Sequence, residues 1–466
     1  MRLLIATQAR GPIGGVESYL RGMAAQLRAA GCELGILYEQ RAEGASAIDW
    51  RGAPLGYAER PAYAQPAGDP REPRPAGAAP LRLPGAGRRS EFRDLLASTL
   101  PTVQTARPPR DDPYAGCTEF DVAELGREAA LAAARRWRPE RIWAHGLADG
   151  EMEARLLELA PAVLYAHNYD GACATGSKMH RWPRPVPCSR PLGAGCVAVN
   201  FTRHCGMLNP SGFVRSYRRQ RERARGLRGY SAIMVASLHM AGEFRRAAGA
   251  SGPAVTVVGY PLLAPRAEVL ASPSGRPHHV VMLARLTAPK GGEVLLRACA
   301  AVQGQLRRRL RVTIAGDGPE RRRWQDLALR LDLDARFPGW LSAQERSQLL
   351  ADADLLAVPS LWPEPYGLVG MEAAAQGVPA VAFAHGGILD WLEPGLTGES
   401  AGVTPPSAQG LAAALVRALE DPEHWRQMRE QAWRHSAGFT PAAHLKRLAP
   451  LLGLPGVAAA EAGADA

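Results

Sequence analysis

Glu364-Pro365-Tyr366-Gly367-Leu368-Val369-Gly370-Met371-Glu372 is the stretch whose reading decides the fold. Before it, Leu355-Leu356-Ala357-Val358 is an apolar run closed by Pro359-Ser360, which reads as a buried strand running into a loop. After it, Val369 to Gln376 reads as a short helix stopped by Gly377 and Pro379. The spacing places Glu364 in the loop and Glu372 about a turn inside the helix. Between them the N–H groups of Gly367, Leu368 and Val369 point out of the helix start, where unpaired donors and the macrodipole favour an anion. Two carboxylates beside such a site would repel a bare phosphate. They suit a ligand that also carries hydroxyls, because an ionised carboxylate accepts hydrogen bonds and donates none. A phosphate flanked by hydroxylated rings describes a nucleotide sugar.

Working outward, the chain alternates apolar strands and helical patterns on both sides of this stretch. Leu3 to Ala6 reads as a strand, Gly11-Pro12-Ile13-Gly14-Gly15 as a loop, and Val16, Tyr19, Leu20, Met23 and Leu27 recur at helical spacing up to Gly31. This unit opens a doubly wound sheet, although its glycines lack the dinucleotide G-x-G-x-x-G spacing. Strands are predicted at 141–144, ending at His145, at 162–166, ending at His167, and at 231–237 and 255–258, with one helix over 122–137. The pattern restarts after residue 277, with strands at 279–286, 311–315 and 380–383. The expected organisation is an α/β chain with a first domain over 1–262, a linker at 263–277, a second domain over 278–440 and a return segment with a frayed tail over 441–466. Residues 59–112, rich in Pro and Arg, are expected to be a poorly ordered excursion.

At 466 residues the chain is long enough for two cores. Its net charge of +11 suits an acidic partner such as phosphate, anionic lipid or nucleic acid. Seven cysteines without a signal peptide point to a reducing compartment. No run reaches the roughly 18 apolar residues of a membrane span, so the expectation is a cytoplasmic protein, at most peripheral to the inner face of a membrane.

Several segments, in order, carry a resemblance to a known family: Gly14-Gly15-Val16-Glu17, Ala284-Arg285-Leu286 with Lys290-Gly291, Ala315-Gly316-Asp317-Gly318-Pro319, Phe337-Pro338-Gly339, Pro359-Ser360 with the two glutamates, and Gly386-Gly387 with Thr397-Gly398. The chain resembles the family-four retaining glycosyltransferases of the GT-B fold, in which two Rossmann-like domains face each other across a cleft. The resemblance runs through the second domain and holds only at the start of the first. It implies a retaining transfer of a sugar from a nucleotide-diphosphate donor to a hydroxyl acceptor. Donor contacts are implied at Gly14, Gly15, Arg285, Lys290, Gly316, Trp340, Glu364, Tyr366, Gly367, Leu368, Val369 and Glu372. Arg285 and Lys290 would hold the diphosphate, Glu372 the ribose hydroxyls, and Glu364 the transferred sugar. His167 aligns with a family histidine near the reacting sugar, and a structural role competes with that one. Trp340 is open between a nucleotide contact and a core position. No metal and no cofactor are expected, since two cations and a helix start meet the leaving group's charge. Asp332-Leu333-Asp334 and Asp352-Ala353-Asp354 are spaced like metal ligands but fall at predicted helix ends.

Other readings stay open. Within the enzymes there is an epimerase or phosphorylase of the same fold; outside them, a basic nucleic-acid-binding or scaffold protein with a vestigial donor site, although no nucleic-acid module surrounds its basic run. The segment 168–211 departs from the family and holds Cys173, Cys188, Cys196 and Cys205. Their spacing is wider than zinc sites use, and reduced thiols are the favoured reading. Arg215 to Arg228, dense in arginine, is either a solvated helix face or a patch for anionic headgroups.

Overall fold

The computed structural model describes residues 1–10, 15–41, 114, 116–270, 277–402 and 405–454. The excursion expected at 59–112 and the Gly14 loop lie outside them. Two parallel sheets organise the chain. The first has seven strands in the order β3-β2-β1-β4-β5-β8-β9. They are Arg2–Arg10 (β1), Glu33–Arg41 (β2), Thr118–Asp121 (β3), Arg141–Ala144 (β4), Ala162–Ala166 (β5), Ala232–Val235 (β8) and Ala254–Val257 (β9). A small hairpin, Met179–His180 (β6) with Val186–Pro187 (β7), stands apart from it. The second sheet has six strands in the order β12-β11-β10-β13-β14-β15. They are His279–Leu283 (β10), Arg311–Ala315 (β11), Asp334–Gly339 (β12), Leu355–Val358 (β13), Ala380–Phe383 (β14) and Gly398–Ala401 (β15).

Local sequence explains these elements. The central strands are buried on both faces, as parallel sheets covered by helices require. The helix Gly15–Ala29 buries Tyr19, Leu20, Met23, Ala24 and Leu27, one stripe at helical spacing that faces the core. Each such apolar side chain contributes about 1.5–3 kcal/mol when fully buried. The expected single helix over 122–137 is divided at Gly126, which takes φ +78°, into Val122–Leu125 and Arg127–Trp137.

Three strands of the two parallel sheets escape sequence reading. β3 and β15 are only four residues long, and β12 is an edge strand whose exposure alternates instead of forming an apolar run. Its Pro338 is tolerated because an edge strand has a side with no ladder to satisfy. Phe337-Pro338-Gly339 is therefore strand.

The chain between the sheets is fastened to the second one. Arg266 stacks over Trp433 at 3.7 Å and bonds Ser436 Oγ at 3.0 Å, while Ala267 N donates to Ala375 O at 3.0 Å. After the helix Pro422–Ser436 the chain returns to the first sheet. The helix Pro441–Leu452 buries Leu448, Ala449 and Leu452 in the same apolar cluster as Leu20 and Leu27. His444 bonds Tyr19 Oη at 2.6 Å and Gly259 O at 2.8 Å.

Candidate functional site

In open parallel sheets, ligands bind beyond the carboxyl ends of the strands where strand order reverses. In the second sheet that point lies between β10 and β13, which are direct neighbours. The loop after β10 carries Arg285 and the 3₁₀ turn Ala288–Lys290, and the loop after β13 carries Glu364. The two loops meet. Lys290 Nζ lies 2.7 Å from Glu364 Oε1, which also accepts from Trp362 Nε1 at 2.9 Å and from Ser360 Oγ. Lys290 Nζ also stands over the Trp362 ring, 5.3 Å from its centroid.

Glu364 is buried at 6 % exposure, which by itself would raise its pKa. Lys290 and the three hydrogen bonds outweigh burial, and the carboxyl sits below its ordinary value. All three donors converge on Oε1, so the group is locked as an anion in one orientation. Backbone contacts hold it from the other side: Gly387 N donates to Glu364 O at 2.7 Å, and Gly386 bridges to Glu364. Gly386 has φ +68°, and a Cβ there would come within 2.3 Å of Glu364 O. Only glycine permits that approach.

Gly367, at φ +96°, turns the chain into the helix Leu368–Ala375, whose first N–H groups, at Leu368 and Val369, have no partner inside the helix. Glu372 lies a turn further on, with Arg346 Nε 3.4 Å away. Burial raises the Glu372 pKa and Arg346 offsets only part of that. The two motif carboxyls are thus driven in opposite directions by their surroundings. Gly316, after β11, closes the third side of the region. Its N donates to Gly339 O at 2.7 Å, and a Cβ there would stand 1.9 Å from Ala284 O, beside Arg285.

Other sequence-proposed residues fall differently. Arg285 is exposed in its loop. Trp340 is 58 % exposed, which settles it as a surface residue and not core. Tyr366 is buried with its ring against Tyr260 at 5.5 Å, and the Tyr366 oxygen faces the backbone of Gly259. Its side chain therefore joins the two halves of the chain. Gly15 begins the helix Gly15–Ala29.

His167, at the end of β5, has both ring nitrogens engaged: Nδ1 with Tyr260 Oη, and Nε2 with His145 Nδ1 at 2.6 Å. Burial pushes its pKa down to about 3, so the ring is neutral near pH 7. That arrangement favours the structural role over the catalytic one. Asp354, half of a suspected metal-ligand pair, instead accepts from the backbone N–H groups of His278 and His279 at 2.8 Å each.

Sequence reasoning missed Ser360 and Trp362 as the groups that fix Glu364. It also missed Tyr169, whose hydroxyl donates to Pro363 O at 2.9 Å across the interdomain cleft. The signal for the first two was their place, four and two residues before the glutamate. Tyr169 had no local signal. A cavity of about 760 Å³ opens along the helix Arg321–Arg330 and β12, but it contains none of Arg285, Lys290, Glu364 and Glu372. The converging charges mark the site better than the larger void.

Two Rossmann-like parallel domains facing across a cleft define the GT-B class of glycosyltransferase folds. Crystal structures agree: Anabaena Alr3699/HepE, solved in complexes with UDP and with UDP-glucose, superposes with a TM-score of 0.60 over 97% of this chain and 100% of that one, at 19% identity. WaaG, a glycosyltransferase involved in lipopolysaccharide biosynthesis, superposes with a TM-score of 0.57 over 97% and 99% of the two chains, at 14% identity. Residues 271–435 match the family model for glycosyl transferases group 1. In sequence, the chain is similar to the D-inositol 3-phosphate glycosyltransferase of Corynebacterium aurimucosum, at 37% identity over 178 residues, 36% of this chain and 41% of that enzyme. A longer match, to the glycogen synthase of Mycobacterium tuberculosis, is 29% identical over 300 residues, 63% of each chain. The chain thus spans about two fifths of the length of the corynebacterial relative.

Proposed function

We propose that the chain is a retaining, metal-independent glycosyltransferase that moves a hexosyl group from a nucleotide-diphosphate sugar to a hydroxyl acceptor. The observation that carries this reading is the meeting of Lys290 with a buried, anionic Glu364 at the point where the strand order of the second sheet reverses. Lys290, Arg285 and the helix start at Gly367–Val369 meet the charge that grows on the diphosphate as the bond from the sugar's anomeric carbon to the phosphate oxygen breaks. Glu372, on the same helix, accepts from ribose hydroxyls. Glu364 holds the sugar through Oε2, since Oε1 is already committed to Lys290, Ser360 and Trp362.

That commitment also argues against Glu364 as a nucleophile, because an oxygen fixed by a lysine is a poor attacking group. The acceptor oxygen then bonds to the anomeric carbon on the face the diphosphate leaves. The acceptor's proton passes to the departing phosphate oxygen, and no covalent glycosyl-enzyme intermediate forms. The uridine nucleotides bound by Anabaena HepE make UDP-sugars the first donors to test.

A panel of UDP-, GDP- and ADP-sugars, scored by hydrolysis without acceptor and by the anomeric configuration of the product, tests the reading. Glu372→Ala is expected to raise the donor KM, and Lys290→Ala to lower kcat more than affinity. Inversion at the anomeric carbon, or equal and trivial effects of both substitutions, would overturn it.

A second observation favours a lipid-linked acceptor. The helix Pro210–Gly226 exposes Arg215, Arg218, Arg221 and Arg225 at three- to four-residue spacing, which is one face. The same helix exposes Val214, and nearby segments expose Trp182, Val197, Phe201 and Leu208. Basic and apolar groups together suit an anionic membrane surface. No helix among the described residues is long and apolar enough to cross a membrane. Sedimentation with phosphatidylglycerol but not phosphatidylcholine vesicles is expected, and equal binding to both would refute it.

A further inference from the structure

Tyr169 follows β5 on the first domain's side of the cleft, yet it reaches the loop that carries Glu364. Its hydroxyl donates to Pro363 O at 2.9 Å, and its ring meets that of Trp362 edge to face, with centroids 6.3 Å apart at 88°. Trp362 in turn donates from Nε1 to Glu364 Oε1 at 2.9 Å, and it packs against the apolar cores of both domains. One side chain of the first domain thus touches the two residues that immediately precede Glu364 in the second.

Tyr169 can hold them because it is itself held. It is fully buried, and the N–H groups of Ala172 and Cys173 both donate to its carbonyl at 3.0 Å, closing a turn. Asp170 accepts from Gln220 Nε2 at 2.8 Å and from Arg223 Nη1 at 3.1 Å. Gly171, at φ +81°, donates its N–H to Gln220 Oε1 at 2.6 Å. These bonds tie the turn to the helix Pro210–Gly226. The Tyr169 ring also meets His239 edge to face at 5.9 Å, and one residue before it Leu238 N donates to Asp390 Oδ1 of the second domain at 2.9 Å. A second bond therefore crosses the cleft beside the first.

We infer that Tyr169 is a positioning residue: from the first domain it sets the orientation in which Glu364, on the second, meets the transferred sugar. The inference rests on the sugar-holding role proposed above for Glu364. The bonds that fix Oε1 also aim Oε2, the oxygen offered to the sugar, and Trp362 supplies one of them. Separating the domains would withdraw Tyr169 from both Trp362 and Pro363 O, and the indole face would open to water. Alignment of Glu364 is therefore complete only while the two domains are together, the state in which donor and acceptor share the cleft.

Tyr169→Phe keeps the ring and removes only the hydroxyl. Tyr165→Phe is the control, because that buried hydroxyl also donates to a backbone carbonyl, Val258 O, but within the first domain. With a donor that the wild type turns over, Tyr169→Phe is expected to lower kcat roughly tenfold and to leave affinity for the corresponding nucleoside diphosphate unchanged. Tyr165→Phe is expected to keep the wild-type kcat. A second readout needs no turnover: the indole N–H resonance of Trp362, identified by its loss in Trp362→Phe, moves upfield in Tyr169→Phe and stays in place in Tyr165→Phe. An unmoved indole resonance in Tyr169→Phe overturns the inference, as does an unchanged kcat or a fall in kcat that Tyr165→Phe matches. A wild type inactive with every donor defeats the transferase reading instead, and the indole resonance then judges the hold of Tyr169 on the Glu364 loop by itself.

Discussion

Replacing Lys290 by methionine isolates the interaction on which the candidate site rests. Glu364 is 6 % exposed, and of the three donors on its Oε1 only Lys290 carries charge. Removing one partner of a buried ion pair costs about 3–5 kcal/mol, because the remaining charge is left uncompensated. The Lys290 side chain is 26% exposed, so solvent already screens part of the pair and the lower end, about 2–4 kcal/mol, is expected.

The sign of the pH dependence is a sharper test than the size. In the wild type Glu364 is held below its ordinary pKa, so its contribution is fully present above the free-glutamate value of about 4.3 and is lost as pH falls through the folded value. In Lys290→Met the burial effect, which is the largest single influence, is no longer outweighed, and the folded pKa rises above that of a free glutamate. The variant then loses stability as pH rises from about 4.3, until the folded pKa is passed. The deficit should be small in acid and grow to its full size near neutrality. Urea unfolding followed by circular dichroism at several pH values reads this directly. A deficit that is constant with pH, or absent at pH 7, would refute the account of Glu364 as a lysine-compensated buried anion.

Two further outcomes follow from the electrostatics of the first domain. Lys178 and Glu243 form an ion pair at 2.6 Å with side chains only 1% and 2% exposed, so Glu243→Ala is expected to cost about 3–5 kcal/mol, while Lys178→Met/Glu243→Leu recovers most of it. A double variant as unstable as the single one would refute this. His167 and His444 are held neutral by burial, with pKa values pushed down to about 3 and about 4. As pH falls below the free-histidine value of about 6.5, the unfolded chain takes up protons that the fold refuses, and stability declines by roughly 1.4 kcal/mol per pH unit for each histidine. His444→Gln should reduce that slope by one histidine's share in thermal or urea unfolding, and an unchanged slope would count against it.

Much of the site was legible in the chain because its chemistry is local. A strand, a loop glutamate, a left-handed glycine and a helix lie within twenty-five residues of one another, and apolar runs and glycine placement report them without knowledge of any partner. The two-domain parallel architecture was readable for the same reason, since central strands buried on both faces are continuous apolar runs. What stayed hidden depends on contacts far apart in the chain. Lys290 and Glu364 are 74 residues apart and meet because β10 and β13 are neighbours, an arrangement set by sheet order. Tyr169 reaches Pro363 from 194 residues away. His167 shows the limit best: its place at a strand end suggested chemistry, and only packing revealed Tyr260 and His145 on its two nitrogens. Sequence determines what each side chain offers and which face of its own element it occupies. Which distant groups come to share a dry, low-dielectric space, and so which charges are compensated and which rings stay neutral, is decided by the tertiary fold.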